Sequence, residues 1–292
     1  MSLKIIFSLK AQSATITNSP NNKVLFRALF VFNTNKVVFI MLKGKKGLIL
    51  GVANDASIAT GCAEAMVNHG AEVILSYGHP KSLPYVQPIS NRLQAGDPVF
   101  ADVSDDDSLD ALFETIKERF GHLDFLVHSV AFASAKDLHG PVVNCSREGF
   151  LQAMDISCYS LIACACRAQA LMSAGGSIAT MTFYGAEKYV ANYNIMGPIK
   201  TALEHTARYL AYELGPKSIR INALSPGTLP TRAASGIAGF ETLRQTWKER
   251  APIKDALAAS QVGEAAAFLA SDNAKTITGE VIHIDGGYHL AG

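Results

Sequence analysis

The chain has 292 residues, 49% of them hydrophobic, with 26 Lys plus Arg against 25 Asp plus Glu. That length and apolar content suit one large α/β domain, and the balanced charge offers no electrostatic footprint for nucleic acid. Five cysteines (Cys62, Cys145, Cys158, Cys164 and Cys166) include no Cys-x-x-Cys pair, which argues against zinc or a disulfide framework and for a reducing, cytoplasmic location.

The first forty residues contain no Asp or Glu and five scattered Lys or Arg. An organelle leader would be richer in arginine. No apolar run reaches the ~18 residues of a membrane span. Met41 stands six residues before Gly47, where a domain naturally begins. Residues 1–40 are therefore expected to be an extension outside the fold, read from an upstream start codon, and residues 41–292 a single domain.

From Lys46 short apolar runs alternate with amphipathic segments, the pattern of βαβ units around a parallel sheet. Strands are expected at 46–52, 72–77, 98–103, 123–131, 176–183, 219–224 and 280–284. Helices are expected at 57–69, 106–120, 147–173, 193–214, 241–250 and 261–269. The 106–120 helix has acids at its start and Lys117 and Arg119 near its end, as the helix dipole prefers. Pro80, Pro84 and Pro88 oppose a regular helix after the second strand. The result is a doubly wound Rossmann-type domain with seven parallel strands flanked by helices.

Candidate chemistry clusters at the ends of those strands. Gly51 followed by a helix start at Ser57 has the geometry to receive a pyrophosphate, although the Gly-x-Gly-x-x-Gly spacing is absent and a turn capped by Ser57 is the alternative. No acid occurs between Glu72 and Asp97 to read a ribose 2′-hydroxyl, so His79 and Lys81 can instead face a 2′-phosphate. Asp102-Val103 follows the third strand, where a carboxylate can read adenine or cap the next helix. Val130 follows the fourth, where small residues let a cofactor pass.

Two Tyr/Lys pairs compete. Tyr193 and Lys200 lie seven residues apart at the start of a helical pattern, and at ~100° per residue they return to one face, about 10 Å apart along the axis. Tyr184 and Lys188 have the Tyr-x3-Lys spacing of ordinary short-chain dehydrogenases, but Tyr184 abuts the fifth strand and is followed by Gly185.

From about Gly44 to His289 the chain resembles the bacterial enoyl-[acyl-carrier-protein] reductases, a divergent branch of the short-chain dehydrogenase/reductase superfamily. The resemblance is carried by Gly51-Val-Ala-Asn-Asp-Ala-Ser-Ile-Ala59, His128-Ser-Val-Ala-Phe-Ala133, Asn192-Tyr-Asn-Ile-Met-Gly197 with Lys200, and Gly279-Glu-Val-Ile-His-Ile-Asp-Gly-Gly287. It implies that Gly51, Ser57, Ile58, Asp102, Val103 and Val130 line the dinucleotide and that Lys200 holds the nicotinamide ribose. It implies that Leu229, Pro230, Thr231, Arg232 and Ala233 close over the cofactor as part of a lid running from Ser225 to Phe240. Ala133 and Phe183 would border the acyl substrate, and Tyr193 would bond the thioester carbonyl. NADH is the implied coenzyme, with NADPH left open by His79 and Lys81. Acyl carrier protein is the implied partner, with Arg244 and Lys248 as docking candidates, and a homotetramer the implied assembly.

The chain departs from the family in four places. Phe183 replaces a frequent second tyrosine. Pro198 lies inside the expected catalytic helix and removes one backbone donor, so a kink or a late helix start is expected. Gly78 replaces a frequent glutamine, and Arg232 sits two places later than usual. A carbonyl reductase using Tyr184 and Lys188, and a nucleotide-binding protein without turnover, are the alternative readings.

Overall fold

The computed structural model describes residues 30–33, 36–254 and 257–291. Most of the expected leader, residues 1–29, lies outside the described residues. Within its remainder, β1 (Phe30–Asn33) and β2 (Lys36–Phe39) pair antiparallel as a two-stranded sheet of their own.

Seven further strands form one parallel sheet: β3 (Lys46–Leu50), β4 (Glu72–Tyr77), β5 (Val99–Phe100), β6 (Phe125–His128), β7 (Gly176–Met181), β8 (Ile219–Pro226) and β9 (Val281–Ile284). Their spatial order, β5-β4-β3-β6-β7-β8-β9, reverses direction between β3 and β6, the crevice where doubly wound folds bind nucleotides. Alternation decides the layers. Leu48 and Leu50 face one core with Leu126, Ile178 and Ile221, while Ile49 faces the other with Val73, Leu75 and Val127. The second core is covered by α1 (Ile58–Asn68), α2 (Leu83–Leu93) and α9 (Ala259–Ala270). The first is covered by α3 (Asp106–Phe120), α5 (Arg147–Met154), α6 (Ser160–Leu171) and α7 (Met196–Leu214). The short α4 (Ala135–Leu138) and α8 (Phe240–Arg250) lie outside this frame.

Four differences from the sequence expectations have physical reasons. Helix α2 forms despite its prolines: Pro84 is in the first turn, where no donor is needed, and burial of Val86 and Ile89 outweighs the interruption at Pro88. The third strand shrinks to Val99–Phe100, because its ladder to β4 is two residues long. The expected helix 147–173 is broken by a π-helical turn at Asp155–Tyr159, a feature that often marks functional sites. The stretch Arg147–Leu171 is also long and apolar enough to cross a bilayer by length and composition, which the run-by-run reading missed; half of its most apolar window is buried inside the fold.

Candidate active site

The expected cofactor residues converge on the carboxyl edge of the sheet. Gly51 ends β3 with φ +94°, and a Cβ there would lie 2.2 Å from Ser129 O, so β3 and the end of β6 approach too closely for a side chain. Val130 flanks the same contact. Ser57 precedes α1 but does not cap it; its Oγ donates instead to Asn54 O at 2.8 Å. The first amide groups of α1, beginning at Ile58, therefore keep their capacity to meet an anion. Ser57 holds the N-cap position without a side-chain cap bond.

Asp102 does not cap α3 either. Asp105 does so, accepting from Asp107 N at 3.1 Å, while Asp102 Oδ1 accepts from Ser104 N and Oγ. Val103 is buried beside it. His79 accepts the amide of Lys81 at 3.1 Å, so that ring is engaged in its own turn. Beyond β8, Leu229 is buried, Pro230, Arg232 and Ala233 are exposed, and Thr231 Oγ1 accepts from Ala234 N at 3.1 Å. Thr228 Oγ1 is buried without a hydrogen-bond partner among the described residues, at the place where a dinucleotide would bring polar atoms. A positive-φ glycine, an uncapped helix start and an orphaned buried hydroxyl together fit a bound dinucleotide.

Tyr193 corrects the helical argument. Helix α7 begins at Met196, so Tyr193 lies in the turn before it, between Asn192 and Asn194, both at positive φ (65° and 46°). Pro198 is the third helical residue, where its missing donor is harmless, and the late start follows from the positive-φ turn at Asn192 and Asn194. The Tyr193 ring is buried, lies 4.8 Å from the Phe183 ring, and rests on the Gly185 backbone, where a Cβ would come within 2.3 Å of Cδ1. Burial raises its pKa, so near neutrality it is a phenol that can donate. Ala133 is half-buried against the same core.

Lys200 is 4% exposed and donates to Met181 O at 2.7 Å. Burial lowers its pKa from 10.5 to about 8, partly offset by Cys158 and Glu204. Glu204, one turn on, accepts from Thr182 Oγ1 at 2.7 Å, and burial raises its pKa. His128 is fully buried and held neutral, with a pKa lowered to about 3 by burial and by the Lys200 charge. Its Nδ1 lies 2.9 Å from Thr180 Oγ1 and its Nε2 2.8 Å from Ser160 Oγ. Since Ser160 Oγ donates to Ile156 O at 2.6 Å, Nε2 carries the proton and Nδ1 accepts from Thr180. The π-helical turn also presents Ser157, whose Oγ bonds both Phe132 N and O.

The sequence reading assigned no role to Glu204, His128, Gly185 or Thr228. Only Glu204 carried a signal, the four-residue helical spacing from Lys200.

Tyr184 and Lys188 do not form a helical dyad. Residues Tyr184–Ala186 make one 3-10 turn, the Tyr184 ring packs edge-on against Tyr288 at 5.5 Å, and Lys188 is exposed. Arg244 contacts Glu241 at 3.3 Å on the outer face of α8, and Lys248 is exposed one turn later.

Comparison with known proteins accounts for this arrangement. The family model described as Enoyl-(Acyl carrier protein) reductase matches residues 51–289. An enoyl-[acyl-carrier-protein] reductase [NADH] of Rhizobium meliloti is 43% identical over 252 residues, covering 86% of this chain and 93% of that protein. The crystal structure of the reductase from Anaplasma phagocytophilum in complex with NAD is 45% identical, with a TM-score of 0.82 over 86% of this chain and 96% of that one. The Bacillus cereus reductase, with NADP+ and indole naphthyridinone, is 41% identical, with a TM-score of 0.84 over 86% of this chain and 99% of that one. The chain belongs to the enoyl-(acyl carrier protein) reductase family.

Proposed function

We propose that the protein reduces trans-2-enoyl thioesters of acyl carrier protein with NADH, the last reductive step of fatty-acid elongation. The observation that carries this reading is the buried, un-ionised Tyr193 phenol beside Phe183, together with the buried Lys200 ammonium on the end of β7 at Met181 O. Bound reduced nicotinamide would supply the hydride that adds to the β-carbon. Tyr193 donates to the carbonyl oxygen, where negative charge develops. Lys200 holds the nicotinamide ribose and places a positive charge nearby, while neutral His128 adds none to compete with it. The lid is shorter than expected, since Ser225 and Pro226 belong to β8 and Phe240 opens α8. The segment between them, 227–239, excludes water over the reacting atoms. Gly51, Ser57, Ile58, Asp102, Val103, Val130 and Leu229 to Ala233 line the dinucleotide, and Ala133 and Phe183 border the acyl chain. NADH is favoured because the curated relatives are named as NADH-dependent and one solved relative holds NAD.

One assay tests the reading: loss of the reduced-nicotinamide absorbance with crotonyl thioester, run separately with NADH and NADPH. Oxidation with ketoacyl but not enoyl thioester would remove it, and faster turnover with NADPH would reverse the coenzyme choice. Because Lys200 acts as a cation with a pKa near 8, kcat/KM should fall as pH rises through about 8 rather than near 10.5. Lys200→Arg, whose side chain stays protonated, should lose that alkaline limb. Persistence of the limb would assign it to another group.

The reading extends to residues 41–292 as the reductase domain, in the cytoplasm, assembled as a homotetramer. Support for assembly comes from α7, which exposes Tyr209 (69%) and Tyr212 (87%). Sedimentation showing only monomer would sink that part.

A further inference from the structure

Tyr184 and Lys188, which the catalytic reading leaves without a role, line a cleft of about 500 Å³ together with Asn192, Thr242, Thr246 and Arg250. One wall is the chain immediately before Tyr193 and the other is α8, so the cleft lies beside the reacting centre. That volume is in the range of small-molecule sites. Tyr184 is 6% exposed, yet its hydroxyl has no hydrogen-bond partner among the described residues. An unsatisfied buried donor marks a place for an acceptor. Burial also raises its pKa and keeps the proton on the oxygen.

Two exposed cations flank the same cleft. Among the described residues neither Lys188 nor Arg250 enters an ion pair, although each has an acid beside it in sequence. Glu187 is engaged by His283 Nε2 at 2.8 Å, and Glu249 accepts from Gln245 at 2.8 Å. A cleft with two exposed, unpaired cations at its rim and an orphaned phenol inside fits a neutral, amide-bearing chain that ends in a phosphate.

We propose that this cleft holds the pantetheine arm of the thioester substrate, with Lys188 and Arg250 on its phosphate and Tyr184 donating to an oxygen of the arm. The inference rests on the enoyl-thioester reading and adds to it a specificity site for the phosphorylated carrier of the acyl group.

The test compares crotonyl-pantetheine with crotonyl-4′-phosphopantetheine, which differ only by the phosphate, and adds crotonyl-coenzyme A and the crotonyl carrier protein. In the unaltered protein the phosphorylated arm should lower KM by about tenfold, the size of one charge-assisted contact. In the Lys188→Ala/Arg250→Ala double variant the ratio of the two KM values should fall to near one. Tyr184→Phe, which keeps the ring against Tyr288, should raise KM for both arms more than it lowers kcat. Equal KM values in the unaltered protein, or a ratio preserved in the double variant, would overturn the proposal. A KM for coenzyme A thioester far below that of both phosphopantetheinyl forms would reassign the site to a nucleotide diphosphate and overturn the carrier assignment. Absence of turnover with every thioester would instead defeat the reductase reading. In that event calorimetry with 4′-phosphopantetheine alone decides the inference: binding lost in the double variant sustains it, and binding absent or unchanged ends it.

Discussion

Replacing Tyr193 by Phe should lower kcat for an enoyl thioester by about 10²–10³-fold, the usual cost of deleting one donor to a developing oxyanion. Three features make the expected loss large and clean. Phe183, the ring packed against Tyr193, offers no hydroxyl to substitute for it. The ring is held by Phe183 and by the Gly185 backbone rather than by its hydroxyl, so the phenylalanine keeps its packing. Its pKa is raised by burial, so the group lost is a neutral donor at working pH. Dinucleotide affinity should change little, because the expected cofactor contacts lie elsewhere. A larger loss at Tyr184→Phe than at Tyr193→Phe would revive the ordinary dehydrogenase pair.

The second large effect is expected at Gly185→Ala. Gly185 lies outside the left-handed region, so alanine is tolerated by the backbone; the conflict is with the Tyr193 ring, 2.3 Å from Cδ1 and 2.8 Å from Cε1 of the added methyl. The phenol must move by about an ångström, and a displacement of that size costs about 10²-fold in rate. Because the effect acts through Tyr193, the two substitutions should not add. Gly185→Ala introduced into Tyr193→Phe should cost only a fewfold more, and full additivity would show that Gly185 acts by another route. Fluorescence titration with NADH separates this from a general loss of cofactor binding.

How much was legible can be judged at particular residues. The β4 boundaries and α3, with its acids and its terminal glycine, are local signals, and the chain forms both as written. Their periodicity and caps lie within a few residues of each other. Gly51 was legible for the same reason, since a strand, a glycine and a helix start are contiguous. Tyr193 is expected on a helix and lies instead in the turn before α7. Spacing alone does not reveal that Asn192 and Asn194 turn the chain left-handed and delay α7 to Met196. Pro88 misled in the opposite sense, because burial of Val86 and Ile89 is a tertiary effect that overrides local preference. Thr228 and His128 were illegible for a further reason: an orphaned hydroxyl and a chosen tautomer exist only once distant strands are side by side.

The turn that carries Tyr184 to Glu187 is fastened from far along the chain, through Tyr288 on Tyr184 and His283 on Glu187. This orders the assembly of the crevice during synthesis. The β3–α1 turn and the end of β6, the earliest of the expected dinucleotide contacts, emerge from the ribosome first. The Tyr184–Glu187 turn waits for β9 and the residues that follow it, and so does the segment after β8, whose Gly227 amide donates to Ile284 O at 3.0 Å. Loss of the stretch from His283 onward should therefore weaken cofactor binding and turnover together.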